Sequence, residues 1–214
     1  MAPPYTVAPH LEYFNIPLAE FSASRPEFES FAVGGYIFSQ QPSTNANVNA
    51  NDNDNANANT SPRILLIQRA MTDTMSGCWE GPGGAVEPDI DQTLLDGVAR
   101  EVLEETGLNV SRFVDLVGVD SWQHLRRNGD TLRIAKYSFI IDVYEAKGPY
   151  EEIPVRLEPT EHQAFDWALE EEVREVMQSN TGKFQLPFAE NWNHGPNLVR
   201  AFAWFRKQQA GSTK

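Results

Sequence analysis

GPGGAVEPDIDQTLLDGVAREVLEETGL, Gly81 to Leu108, is the stretch on which the fold turns. It opens on a glycine turn and closes in an amphipathic helix rich in carboxylates. On a helix of about 3.6 residues per turn, Leu94, Leu95, Val98 and Val102 share one stripe, as a core-facing helix requires. Glu101, Glu104 and Glu105, at i, i+3 and i+4, occupy the adjoining face, with Glu105 at the edge of the stripe. Gly107 supplies the left-handed position that ends the helix. Like charges at this spacing destabilise a helix. Each pair about 6 Å apart repels by roughly 2–3 kcal/mol at an effective dielectric of about 20, and partial burial adds a desolvation cost. A hard divalent cation removes the penalty, because carboxylate oxygens are its preferred ligands. A solvated acidic face is the plainer account of most Glu-Glu pairs; the glycine turn beside the apolar stripe favours a metal site here.

The run REVLEETGL, Arg100 to Leu108, resembles the second half of the Nudix box, REUXEEXGU with U an aliphatic residue. Pro82-Gly83-Gly84 resembles the glycine turn that opens the box. The second half matches completely; the first half departs. The family pattern leaves seven residues between its first glutamate and the arginine, which here lands on Gln92, and seven residues instead of five separate Gly84 from Gln92. Asp91 and Asp89 are the carboxylates placed to substitute.

What the resemblance implies is specific. The fold is α/β, a Nudix-type α/β/α sandwich on a mixed β-sheet, covering Phe31 to Met177. Glu101, Glu104 and Glu105, with the Gly83 carbonyl, hold Mg²⁺, and Mn²⁺ can replace it. Arg100 orients the carboxylates through bidentate hydrogen bonds and does not touch substrate. Glu101 and Glu161 both stand as the base, Glu161 because it lies six residues before Trp167. Arg69, at the end of a strand, is a candidate for a substrate phosphate. Apart from the resemblance, Trp79 and Trp122 are aromatic candidates for contact with substrate, though an indole just before the glycine turn more often packs under it than stacks on a base. A homodimer is a reasonable assembly by the same similarity.

The rest of the chain narrows the classes. Its 214 residues suit one domain with extensions. A net charge of −13 argues against a nucleic-acid polymer as partner, since that needs a basic footprint. An acidic protein handling an anionic small molecule instead needs cations between the two. The single cysteine, Cys78, excludes an internal disulfide and fits a reducing compartment. The N-terminus lacks the basic start and apolar run of a secretory signal, and no stretch reaches the length of a membrane span. A cytoplasmic protein with no membrane partner is expected.

In chain order, residues 1–30 read as an N-terminal extension, with Leu11 to Phe21 an arm packed on the domain. The Nudix-like domain spans 31–178. Phe31 to Ser39 and Arg63 to Arg69 read as strands. Between them, asparagine recurs at every odd position from Asn45 to Asn59, so 44–60 is expected as a disordered insertion. Ser111 to Tyr144 reads as a hairpin around the Asn128-Gly129-Asp130 turn, with Trp122, Arg126, Arg127 and Arg133 near its end. Glu158 to Ala168 reads as a polar loop carrying Glu161 and His162, followed by a short helix over Leu169 to Met177. Residues 179–214 form a C-terminal segment with a closing helix over Leu198 to Gln208. Strands on both sides of the signature helix give the layered α/β/α arrangement independently of the motif.

Hydrolysis of a diphosphate linkage is the chemistry this predicts, in a nucleoside diphosphate-X or a related small organic diphosphate. Phe38, Trp79, Trp122, Phe188 and Trp192 permit stacking on a base or an apolar wall for a prenyl chain. Two further classes stay open. A Nudix-like binding module is favoured by Gln92; an isoprenoid diphosphate isomerase needs Cys78 at the site.

Overall fold

The computed structural model describes residues 5–39, 61–72, 75–126, 129–179, 181–186 and 194–211. The strands are β1 (Thr6–Val7), β2 (Ser30–Ser39), β3 (Arg63–Arg69), β4 (Trp79–Glu80), β5 (Val110–Leu125), β6 (Thr131–Val143) and β7 (His162–Leu169). The α-helices are α1 (Leu18–Ala23), α2 (Leu94–Thr106), α3 (Glu170–Ser179) and α4 (His194–Gly211), with a 3-10 helix at Pro9–Asn15. Strand order is β1-β5-β6-β2-β3-β4, with β7 also paired to β3.

β2 runs parallel to β6 from Ser30↔Ile134 to Ile37↔Ile141, but meets β3 only at Phe38↔Ile64 and Ser39↔Arg63. β2 and β3 therefore splay apart from these two pairs toward the start of β2, and α2 packs against the opening. Its Leu94, Leu95, Val98 and Val102 are fully buried in one cluster with Val33 and Ile37 of β2, Leu65 of β3 and Trp167 of β7. Alternate side chains on a strand point to opposite faces, so Ile64 and Leu66 leave that cluster. They join a second one with Tyr36, Phe38, Val173, Val176, Leu198 and Phe202, under α3 and α4. Burial on both faces explains the nearly continuous apolar run of RILLIQR.

The N-terminal residues contribute to the first cluster. β1 lies parallel to β5 at Thr6↔Arg112, and Leu11, Phe14, Leu18 and Phe21 are buried. Phe14 sits 5.2 Å from Phe139, edge to face, and Phe21 lies 5.2 Å from Phe31. The segment expected as a polar loop is β7 from His162 onward, because pairing with β3 from Ile67↔Phe165 to Arg63↔Leu169 overrides its weak alternation. The closing helix starts earlier than its apolar pattern, at His194. The expectation for 44–60, together with Arg127, Asn128, Phe188 and Trp192, lies outside the described residues. No described helix is long and apolar enough to cross a membrane.

Candidate active site

Helix α2 is fixed at both ends. Thr93 caps it, accepting from the Asp96 N–H while the Asp96 carboxylate takes the Thr93 N–H, a reciprocal capping box. Tyr5 adds a 2.7 Å bond to Asp96. At the other end Gly107 adopts φ +70° and returns its N–H to Leu103. Between these ends the three glutamates separate. Glu101 and Glu105, one turn apart, are 9 % and 5 % exposed. The Glu104 side chain is 57 % exposed.

The glycine turn is stitched to β2: Gly35 N–H donates to Pro82 O and Val33 N–H to Gly84 O, both at 2.9 Å. The fit excludes side chains. At Gly83, φ +151°, a Cβ would lie 2.2 Å from Val33 O; at Gly84 it would lie 2.5 Å from Glu101 Oε2. The missing Cβ of Gly84 is thus the space in which the Glu101 carboxylate rests. Gly83 N–H donates to Glu105 Oε2 at 2.6 Å.

Arg100 gathers the acids. Its Nε and Nη2 each reach Asp91 at 3.0 Å, a bidentate grip, and Nη1 reaches Glu101 at 2.9 Å and Glu104 at 3.0 Å. Nη2 also donates to Ala85 O at 2.8 Å. Of the two carboxylates offered as substitutes in the atypical first half, Asp91 takes the arginine. Its Oδ2 also accepts the Glu87 N–H at 2.8 Å. Gln92 is exposed and contributes only its carbonyl, to Leu18 N–H. The crowding on this helix is therefore relieved in part by Arg100. Glu105 receives no such relief from Arg100. Burial drives its carboxyl pKa well above the ordinary value, against the lowering effect of the Gly83 N–H. Burial also raises Glu101, opposed by Arg100.

A cavity of about 430 Å³ lies over these groups, lined among others by Glu101, Glu105, Glu161, His162, Arg69 and the glycine turn. Glu161 stands on the loop entering β7, which is pinned when Ala70 N–H donates to its carbonyl at 2.7 Å. A second hollow of about 210 Å³ shares Arg69, Gly83, Gly84 and Ala85 with the first and adds Trp122, Ile134, Glu80 and Lys136. Arg69 bonds the buried Glu80 at 2.5 Å.

Several candidates are placed apart from this site. Trp79 and Glu80 are neighbours on β4, so they face opposite ways. Glu80 turns to the second hollow, and Trp79 packs edge-on against Phe184 at 5.1 Å on the opposite side. The expected contact of Trp79 with substrate is corrected on that ground. Phe38 stacks on Phe205 in the second core cluster. Arg133 is bound to Glu29. Cys78 is buried with its thiol pKa pushed up by burial and lines neither cavity. Sequence reasoning missed Lys136 and Glu80. Lys136 is the one charge in the run IAKYSF, the only signal it gave; Glu80 carried none.

The described residues offer carboxylate oxygens and an imidazole at one cavity, a donor set suited to a divalent cation. Comparison with known proteins agrees with the fold. Residues 51–192 match the model of the NUDIX domain. A MutT-like protein of Streptomyces ambofaciens is 52 % identical over 48 residues, 22 % of this chain and 27 % of that protein's length. Among solved structures, the NUDIX domain of Shewanella oneidensis NrtR complexed with ADP ribose is 17 % identical with a TM-score of 0.50, covering 88 % of this chain and 97 % of its own. A MutT NUDIX hydrolase from Burkholderia pseudomallei is 21 % identical with a TM-score of 0.46, covering 80 % of this chain and 96 % of its own. With the domain match spanning most of the chain, and the glycine turn and buried glutamates lining one cavity beside the arginine clasp, this protein belongs to the Nudix hydrolase family.

Proposed function

We propose that the protein hydrolyses a diphosphate linkage in a nucleoside diphosphate-X or a related small organic diphosphate, with Mg²⁺ in the site and Mn²⁺ able to replace it. The observation that carries this is the joining of two kinds of group in one cleft: buried carboxylates, Glu101 and Glu105, and two cationic side chains, Arg69 and Lys136. Glu101, Glu105 and Glu161 would hold the cation, with the Gly83 carbonyl by family similarity. When bound, it supplies charge neutralisation for two anionic phosphoryl groups.

The chain's own residues do the rest. Arg69 and Lys136 orient the diphosphate by charge-assisted hydrogen bonds. Arg100, fully engaged by Asp91, Glu101 and Glu104, fixes the acidic face and stays out of contact with substrate. Glu161, the exposed carboxylate at the rim, would hold the cation through one oxygen and offer the other to the proton of the attacking water, with Glu101 the alternative base. Trp122 and Ile134 offer an apolar wall to the group beyond the diphosphate. A prenyl diphosphate is the second reading, favoured by that wall. A Nudix-like binding module is the third reading; the hold of Asp91 on Arg100, beside the departing Gln92, weighs against it.

The test is phosphate release from a panel of nucleoside and prenyl diphosphates, with and without Mg²⁺. Glu105→Gln should lower turnover by at least about 100-fold, and Glu104→Gln by less, since its carboxylate lies outside the cavity. Silence across the whole panel with either cation, or full activity in Glu105→Gln, would overturn the hydrolase assignment.

A further inference from the structure

His162 opens β7 and lines the cavity, with its side chain 3 % exposed. Its Nε2 lies 3.6 Å from Glu105 Oε1. That gap is longer than a hydrogen bond. It is near the roughly 3 Å between adjacent donors on one ion with metal–ligand bonds of about 2.1 Å. Glu161 completes the set: one ligand atom from each of Glu105, Glu161 and His162 lies within 4.8 Å of the others. Glu101, which lines the same cavity, and the exposed Glu104 both accept from Arg100, whereas Glu105, Glu161 and His162 have no bond to it. The acidic face is therefore divided, and the half without the arginine is the half that holds an imidazole.

We propose that His162 supplies a nitrogen ligand to the divalent cation, beside Glu105 and Glu161, making a mixed imidazole–carboxylate site. This rests on the metal-dependent reading above and deepens it. An all-oxygen site suits hard Mg²⁺, whereas one imidazole shifts preference toward Mn²⁺ and Co²⁺. The chain's preference among cations is accordingly set by His162, a residue outside the glycine-turn-to-helix motif.

The experiment loads the full-length protein with Mn²⁺ and reads pulsed EPR. Wild-type protein should show nitrogen modulation of the bound Mn²⁺, altered in the expected isotopic manner when histidine is labelled with ¹⁵N. His162→Gln should remove that modulation and weaken Mn²⁺ binding by roughly 10–100-fold, the range seen when groups supporting a metal are lost. Mg²⁺ affinity should change by less than about 3-fold. The labelled wild type keeps the test decisive if His162→Gln does not fold. Bound Mn²⁺ without nitrogen coupling would overturn the imidazole ligand and leave the carboxylate site standing. No Mn²⁺ uptake by the wild type would overturn both.

Discussion

Replacing Asp91 by alanine removes the two 3.0 Å bonds that hold Arg100 and the acceptor for the Glu87 N–H. The pair is well enclosed, with side chains 13 % and 2 % exposed. Removing one partner of a buried ion pair costs about 3–5 kcal/mol. Arg100 keeps Glu101 and Glu104, so the expected loss is smaller, roughly 2–3 kcal/mol. For a domain of this size that is a fall in Tm of roughly 5–10 °C. Asp91→Asn keeps the shape and an acceptor oxygen but not the charge, and should lose about half as much. Gln92→Ala, at the position where the family pattern places its carboxylate, alters an exposed side chain and should stay within about 0.5 kcal/mol of wild type. Urea unfolding in chelator measures all three without interference from bound cation. Damage from Gln92→Ala equal to that from Asp91→Ala, or an Asp91→Ala protein indistinguishable from wild type, would refute the role of Asp91 as the anchor of Arg100.

Three other expectations follow from the same contacts. His194 is buried, its Nε2 finds no hydrogen-bond partner, and burial plus the charge of Lys136 depress its pKa to about 3. A histidine depressed in the fold contributes stability that is present above its unfolded pKa of about 6.5 and is lost as pH falls toward 3. The loss is at most on the order of 5 kcal/mol, and stability measured from pH 7 to pH 4 should flatten in His194→Gln. Arg69→Met leaves Glu80 buried without its arginine and should cost about 2–4 kcal/mol; adding Glu80→Gln should restore much of that, a non-additivity read by a double-mutant cycle. Deleting residues 1–24 strips Leu11, Phe14, Leu18 and Phe21 from the core. At about 1.5–3 kcal/mol each, that rivals the whole stability of a domain, so the truncated chain should show no cooperative melt.

The signature helix was legible because its signals are local: apolar spacing for the buried stripe, Gly107 for the stop, Glu101 and Glu105 for the buried acids. β2, β3 and the β5–β6 hairpin were legible from β-rich runs and a turn. What escaped depends on tertiary partners. Trp79 and Glu80 differ in which way β4 faces, and a strand of two residues has too little alternation to reveal it. Choosing Asp91 over Asp89 needed the path of the loop, which the Glu87 N–H fixes. The role of His162 needed β7 to be a strand against β3, and that pairing is non-local. Lys136 needed the wedge between β2 and β3 to show which face of β6 borders the cleft.

Ser39 and Arg63 face each other across β2 and β3. The backbone thus departs and re-enters within one inter-strand step, about 5 Å. Each doubling of the length spliced between such paired ends adds only about 0.6 kcal/mol of closure entropy. That junction is a natural port for cargo: a reporter domain whose own termini sit side by side could be grafted there, and the catalytic cleft would keep its shape.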